Sequence, residues 1–352
     1  MKKNAAFRAI LVFAFTVVLL ALGACQKKQE SKGLGKLLVG FAPGASSTLP
    51  ILALEQGYYE KNGVDIEFVP FSNSADGLAA LQVGKVDVGV SFGTSAPLTL
   101  ASKGAEFVII AGNQTGGHPI FTKKENEARY KDINGFKGKV VGTPRLYTSD
   151  VVWRGALYQA GIDAGKDLTI VEFKRPVDVL EAVKSGKIDV GIGSTLITAS
   201  VYDAGLAVPL FTNDIMPDHP CCRVITTKKV LAANRPALVA FIESLLLAEE
   251  KFREDPESVI AANVHQQNMT EEYARQTSLE PHVQFFIDPN TNAVVSMFQY
   301  MKDTEYLDPG LSLDPYTLID TSLYRDALKS LEKKAPSKYW TQLNQRFKDW
   351  NS

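Results

Sequence analysis

Short β-branched apolar runs alternate with amphipathic stretches through the first two thirds of this chain. Residues 37–41, 65–71, 86–90 and 107–111 predict strands, and residues 49–61 and 75–83 predict the helices between them. Those helices run into Gly63 and Gly84, where a left-handed cap is least costly. The rhythm restarts at 139–143, with further strands predicted over 168–173, 188–192 and 208–211. Near-continuous apolar strands separated by helices predict parallel sheets covered on both faces. Beyond Arg223 the pattern turns helical, with apolar periodicity over 238–253 (starting near Pro236), 294–302, 324–332 and 339–347.

The restart is literal. Residues 81–90 and 183–192 align, and both contain Gly-Lys-x-Asp-Val-Gly. Each copy follows an amphipathic helix and runs into small hydroxyl residues, Gly93-Thr94-Ser95 in one and Gly193-Ser194-Thr195 in the other. Shared turn chemistry explains one such corner. The matched placement of two predicts a pair of similar α/β lobes. With the tail packed as helices against the first lobe, lobe one comprises 37–117 and 223–352, and lobe two 118–222. The chain then crosses between lobes near 116–123 and near 221–227, which predicts a two-strand hinge.

The N-terminus follows a different logic. Lys2, Lys3 and Arg8 precede an apolar run over 9–20, of signal-peptide length. It ends in Leu22-Gly23-Ala24-Cys25, which resembles the lipobox of bacterial lipoproteins. That resemblance implies removal of 1–24, lipidation of Cys25 and an extracytoplasmic working place, with several acyl chains giving stable anchorage. Residues 25–36 are polar, without apolar periodicity, and predict a flexible tether. Beyond the leader, no apolar run is expected to span a bilayer.

Composition narrows the function classes. The 352 residues are 45% hydrophobic and 22% charged, as in ordinary globular chains, with a formal net charge of −1. That balance argues against a nucleic-acid surface or a polybasic membrane surface. Three cysteines, Cys25, Cys221 and Cys222, make no disulfide framework, so the core has to hold the fold.

Candidate chemistry gathers where predicted strands end. Ser46 and Ser47 follow the first strand, Asn73 the second, and Thr94 and Ser95 the third; Tyr147, Thr148 and Ser149, then Ser194 and Thr195, follow strands of the second set. Ligands of open α/β sheets sit beyond these strand ends, where N–H groups and hydroxyls bind polar groups. Each residue alone reads equally as an N-cap. Together they predict one ligand cleft, with Tyr147 for stacking and Cys221 and Cys222 at its back.

The motifs carry a resemblance. Phe41-Ala42-Pro43 into a hydroxyl-rich loop, Glu55-Gln56-Gly57-Tyr58-Tyr59, Gly63-Val64-Asp65-Ile66-Glu67 and the two Gly-Lys-x-Asp-Val-Gly corners resemble a group of ABC-importer solute-binding proteins. This is the nitrate/sulfonate/taurine and thiamine-precursor group, called SsuA-like or THI5-like, and the likeness covers about 36–227. It implies a two-lobed periplasmic-binding-protein fold of type II, each lobe a mostly parallel sheet flanked by helices. It also implies a monomer that closes on a small ligand and delivers it to a permease driven by a separate cytoplasmic ATPase. No P-loop, cofactor motif or metal motif of an enzyme is expected here. The ligand class stays open between a pyrimidine-like or other heterocycle, favoured by the Cys-Cys stretch, and a small sulfonate- or nitrate-like anion.

Other readings remain open at the sequence level. Within Asp218-His219-Pro220-Cys221-Cys222-Arg223, the cysteines read as pocket lining, as a vicinal disulfide or as soft-metal ligands. Phe92, Trp153, Arg145 and Arg223 are aromatic and cationic candidates near the cleft. Gly89-Val90-Ser91-Phe92-Gly93 matches the nucleophile elbow of serine hydrolases, with Asp218, His219, His265 or His282 as nominal partners. The equivalent corner of the second copy has the same shape without the motif, which favours a generic turn.

Overall fold

The computed structural model describes residues 33–352, so the leader, Cys25 and most of the expected tether lie outside the described residues. Twelve strands are β1 (Lys36–Phe41), β2 (Asp65–Pro70), β3 (Val88–Gly89), β4 (Phe107–Gly112), β5 (Gln114–Gly116), β6 (Pro119–Thr122), β7 (Val140–Pro144), β8 (Thr169–Phe173), β9 (Val190–Ile192), β10 (Ala207–Phe211), β11 (Arg223–Thr227) and β12 (Val283–Phe285). They form two five-stranded sheets, ordered β2-β1-β3-β11-β4 and β10-β6-β9-β7-β8, and a small β12-β5 pair.

The two large sheets share one plan. β1 pairs in parallel with β2 and β3, and β7 does the same with β8 and β9. In each sheet the next strand is antiparallel and arrives from the other half of the chain: β11 beside β3, and β6 beside β9. The repeated motif accounts for the common register. Asp87 N donates to Leu38 O at 2.7 Å, and Leu38 N donates to Asp87 Oδ2 at 2.9 Å. Asp189 and Val140 repeat this at 2.9 and 2.8 Å. Thr226 and Thr122, on the two returning strands, then donate to the Asp87 and Asp189 carbonyls, both at 2.7 Å. One aspartate thus pins three strands in each sheet.

Period-two alternation along these strands feeds separate cores. Val39, Val108 and Ile110 face the helices Thr48–Glu55, Lys228–Glu254 and Ser322–Lys334. Phe107 and Ile109 face the opposite core, shared with Leu78, Phe92, Val294 and Met297. In the second sheet Ile120 and Val141 pack with Trp153, while Phe121 packs with Val179 and Val183.

The structure amends several expectations. The helix expected over 49–61 is two, Thr48–Glu55 and Tyr58–Lys61, because Gly57 takes φ +65° between them. The helix expected from Pro236 begins at Lys228, with Thr227 as its side-chain cap, and bends where Asn234 leaves helical geometry. This helix is long and apolar enough to cross a membrane, contrary to expectation, but its apolar residues pack in the core. A strand, β12, interrupts the tail expected to be wholly helical. The tail also reaches beyond the first sheet: Val294 and Met297 share a core with Val151 and Val152, and the Tyr300 ring lies against Gly155.

Candidate ligand-binding site

The loops that follow β3 and β7 meet at the second chain crossing. Thr94 Oγ1 donates to the Cys221 carbonyl at 3.2 Å, and Thr148 Oγ1 donates to the same oxygen at 3.1 Å. Thr94 follows a strand of the first sheet and Thr148 a strand of the second, so one carbonyl joins the two. Ser95 Oγ adds a bond to Leu146 O at 2.6 Å. On the first-sheet side, Ser47 Oγ lies 2.8 Å from Gly44 O and 2.7 Å from Gln267 Oε1. Asn113 Nδ2 donates to the carbonyls of Ser46 and Val90.

Among the buried polar atoms of the described residues without a protein partner are Asn113 Oδ1, Ser149 Oγ, Ser194 Oγ and Arg223 Nε, alongside core groups such as Trp153 Nε1 and the Tyr324 hydroxyl. Thr195 is half-buried beside Gly117, and Tyr147 stands exposed at the edge. Asn73 is the predicted residue the structure sets apart. It is exposed, and its Oδ1 accepts from Asp76 N at 2.9 Å as the cap of the helix Ser74–Gln82.

The two crossings are stitched by side chains. His118, on the first, places Nδ1 3.0 Å from His219 Nε2 and Nε2 3.2 Å from Cys221 Sγ, both on the second. The hydrogens follow from one carbonyl. Met216 O, 3.0 Å from His219 Nδ1, can only accept, so His219 carries its proton there and its Nε2 is bare. That bare nitrogen faces His118 Nδ1 and Thr212 Oγ1, the latter 3.1 Å from both nitrogens; with His118 Nδ1–H donating to His219, His118 Nε2 is the acceptor facing the Cys221 thiol. Burial lowers both imidazoles, His118 well below its usual range and His219 to about 4, so both are neutral. Cys221 and Cys222 are free thiols whose sulfurs stand 3.6 Å apart, not a disulfide. No group of three or more metal-ligating side chains occurs among the described residues. Arg223 is buried; its Nη1 donates to Gln114 O and Cys222 O, and Asp288 and Asp218 lie near its charge.

Other candidates have structural duties. Phe92 fills the space left by Gly40, Gly77 and Gly89, and Trp153 is core. Arg145 is exposed and pairs with Glu172. Ser91 Oγ accepts from Ala42 N at 2.6 Å and donates to Ala42 O at 3.1 Å, with no histidine among its partners. The elbow match is therefore a strand-to-strand bridge. Asn113 and His118 were missed by sequence reasoning. Their signal was faint: polar residues directly after an apolar strand, and a histidine beside Gly116-Gly117. A separate surface recess, lined by Thr198, Tyr202, Arg275, Leu279 and Pro281, contains none of the predicted ligand residues.

The sequence pattern of the NMT1/THI5-like family matches residues 45–259, more than half of the chain, including Thr94, Thr148 and the second crossing. The chain belongs to this family. Curated relatives of this NMT1/THI5-like chain include binding proteins of Brucella abortus and Brucella suis, 28% identical over 209 residues. That match covers 59% of this chain and 63% of theirs, less than two thirds of those proteins' length. Among solved structures, the periplasmic nitrate-binding protein NrtA from Synechocystis superposes with a TM-score of 0.70 at 18% identity, over 84% of this chain and 89% of that one. The periplasmic aliphatic sulphonate-binding protein SsuA from Escherichia coli gives 0.66 at 18% identity, over 81% and 92%. A zinc-bound ligand-binding component of an ABC-type import system from Staphylococcus aureus gives 0.67 at 17%, over 83% and 99%. The α/β fold, two sheets flanked by helices, is that of periplasmic binding proteins.

Proposed function

We propose that this NMT1/THI5-like protein is the extracytoplasmic substrate-binding component of an ABC importer and works without chemistry. It is a monomer, anchored through lipid on Cys25. One small molecule is held between lobe one (37–117 and 223–352) and lobe two (118–222), which close about the crossings at 116–123 and 221–227. The closed form passes its ligand to a permease powered by a separate ATPase. The observation that carries this reading is the meeting of Thr94 and Thr148, from equivalent ends of two repeated sheets, on the Cys221 carbonyl beside the unpaired Asn113, Ser149 and Ser194 atoms. Those atoms suit a neutral ligand carrying both donors and acceptors, such as a pyrimidine-like heterocycle, with Tyr147 free to stack at the edge.

The alternative ligand is a small sulfonate- or nitrate-like anion, for which the buried Arg223, with Nε unpaired, speaks. Its charge already has Asp288 and Asp218 nearby, which favours the neutral ligand. Thermal-shift titration of the full-length chain against aminopyrimidines and alkanesulfonates tests both. A ligand at a hundred times its Kd stabilises by about 2.7 kcal/mol. Stabilisation by aminopyrimidines alone is expected; stabilisation by sulfonates alone transfers the reading to the anion.

A further inference from the structure

We infer that Cys221 and Cys222 are an oxidisable dithiol in which Cys222 is the attacking sulfur and Cys221 the resolving one. Three features of the structure point there. The sulfurs are 3.6 Å apart on adjacent residues. Their surroundings differ: the Cys222 thiol is lowered, first by its neighbour Cys221 and then by the Ser46 hydroxyl and the Gly93 N–H, whereas Cys222 and burial push the Cys221 thiol up, and the Cys221 sulfur lies 3.2 Å from His118 Nε2. The His118 tautomer is fixed through His219 by the Met216 carbonyl, so Nε2 is held ready to accept.

The step balances with a low-molecular-weight disulfide as oxidant. The Cys222 thiolate attacks one sulfur of RS–SR, forming Cys222–S–S–R and releasing RS⁻. Cys221 gives its proton to the released RS⁻ and attacks the Cys222 sulfur, expelling the second RS⁻. Two protein thiols are oxidised and one small disulfide is reduced to two thiols. Adjacent Cα atoms lie about 3.8 Å apart, below the ~4.4–6.8 Å of ordinary disulfides, so the product is strained and readily reduced. Strain in this ring acts on the Cys221 carbonyl, which Thr94 and Thr148 both hold. Both cysteines are buried, so exchange requires the lobes to part and rests on that part of the proposed function.

The test uses the full-length chain in glutathione buffers of graded poise, trapped with N-ethylmaleimide and digested with trypsin. The peptide ending at Arg223 contains only these two cysteines. It should carry two maleimides at reducing poise. At oxidising poise it should carry neither maleimide nor glutathione and be lighter by two hydrogens. Cys221→Ser should accumulate the glutathione adduct on Cys222, and Cys222→Ser should acquire at least tenfold less. Two maleimides at every poise, or two retained glutathiones, overturn the dithiol; equal adducts on the two variants overturn the assigned roles. The readout is mass, so a failed ligand assignment leaves it intact.

Discussion

Ser149 and Thr94 stand at one junction but carry different duties. Ser149 Oγ is buried and unpaired, so Ser149→Ala removes nothing the ligand-free protein uses. Its denaturant midpoint should stay within about 0.5 kcal/mol of the parent, while affinity for the ligand found by titration falls roughly five- to tenfold. Thr94→Ala breaks a bond to Cys221 O and should cost about 0.5–1.5 kcal/mol even without ligand. Equal midpoints for the two variants would separate Thr94 from the junction. The imidazole pair gives a pH signature. Both groups fall below their usual 6.5 on folding, so the unfolded chain binds protons that the native one refuses. Their contribution is complete above about pH 6.5 and is lost progressively toward about pH 4. Asp218 and Asp288, facing Arg223 and Arg346, are raised by burial and act with the opposite sign at lower pH. Urea midpoints from pH 7 to pH 4 should therefore fall, and His219→Gln should flatten the slope.

The repeated aspartates are the devices that organise whole elements. Asp87 and Asp189 accept the N–H of the neighbouring first strand in matching geometry, so Asp87→Ala and Asp189→Ala should each cost about 1–3 kcal/mol in chemical unfolding. A cost confined to one of them would break the equivalence of the two sheets. Gly112 is a harsher case. A Cβ there would lie 2.1 Å from the Asp288 carbonyl oxygen and 2.2 Å from that of Phe286, and backbone cannot swing away as a side chain can. Gly112→Ala should destabilise by several kcal/mol, or leave little folded protein in circular dichroism. These two sites mark what sequence can convey. The Gly-Lys-x-Asp-Val-Gly corner is local, so its periodicity and turn chemistry exposed two similar sheets. Gly112 draws its constraint from a segment far along the chain, and nothing near it signals that. Asn113 and His118 belong to the same class, because their partners come from loops and crossings without periodic pattern. At Asn73 the local cap signal was real: its Oδ1 caps the helix and its Nδ2 donates to Asp76 Oδ2.

At the scale of the whole molecule, the helical tail is more than an extension of the first sheet. Tyr306, beyond the helix Thr291–Asp303, donates its hydroxyl to Asp150 in the helix that follows β7. Asp150 also accepts from Thr143 Oγ1 at 2.8 Å, Leu146 N at 3.1 Å and Arg154 Nε at 2.9 Å. It thereby shapes the loop bearing Tyr147, Thr148 and Ser149. Arg145 and Arg154 lie over the Tyr306 ring at 4.9 and 5.6 Å, which fixes the ring while the hydroxyl reaches across. Tyr306→Phe keeps the ring and its cation contacts, deletes the hydroxyl, and leaves Asp150 three donors, so the fold should survive. What weakens is the tie between tail and second sheet. If that tie favours the closed arrangement by about 1.5 kcal/mol, the lower end for a hydrogen bond to a charged group, its loss lowers the closed population and reduces ligand affinity roughly tenfold. The ligand-free variant should then scatter X-rays as a slightly larger particle, with parent and variant converging once ligand is bound. An unchanged radius together with unchanged affinity would assign Tyr306 to local packing and leave the crossings and the core that Val294 and Met297 share with Val151 and Val152 as links to the second sheet.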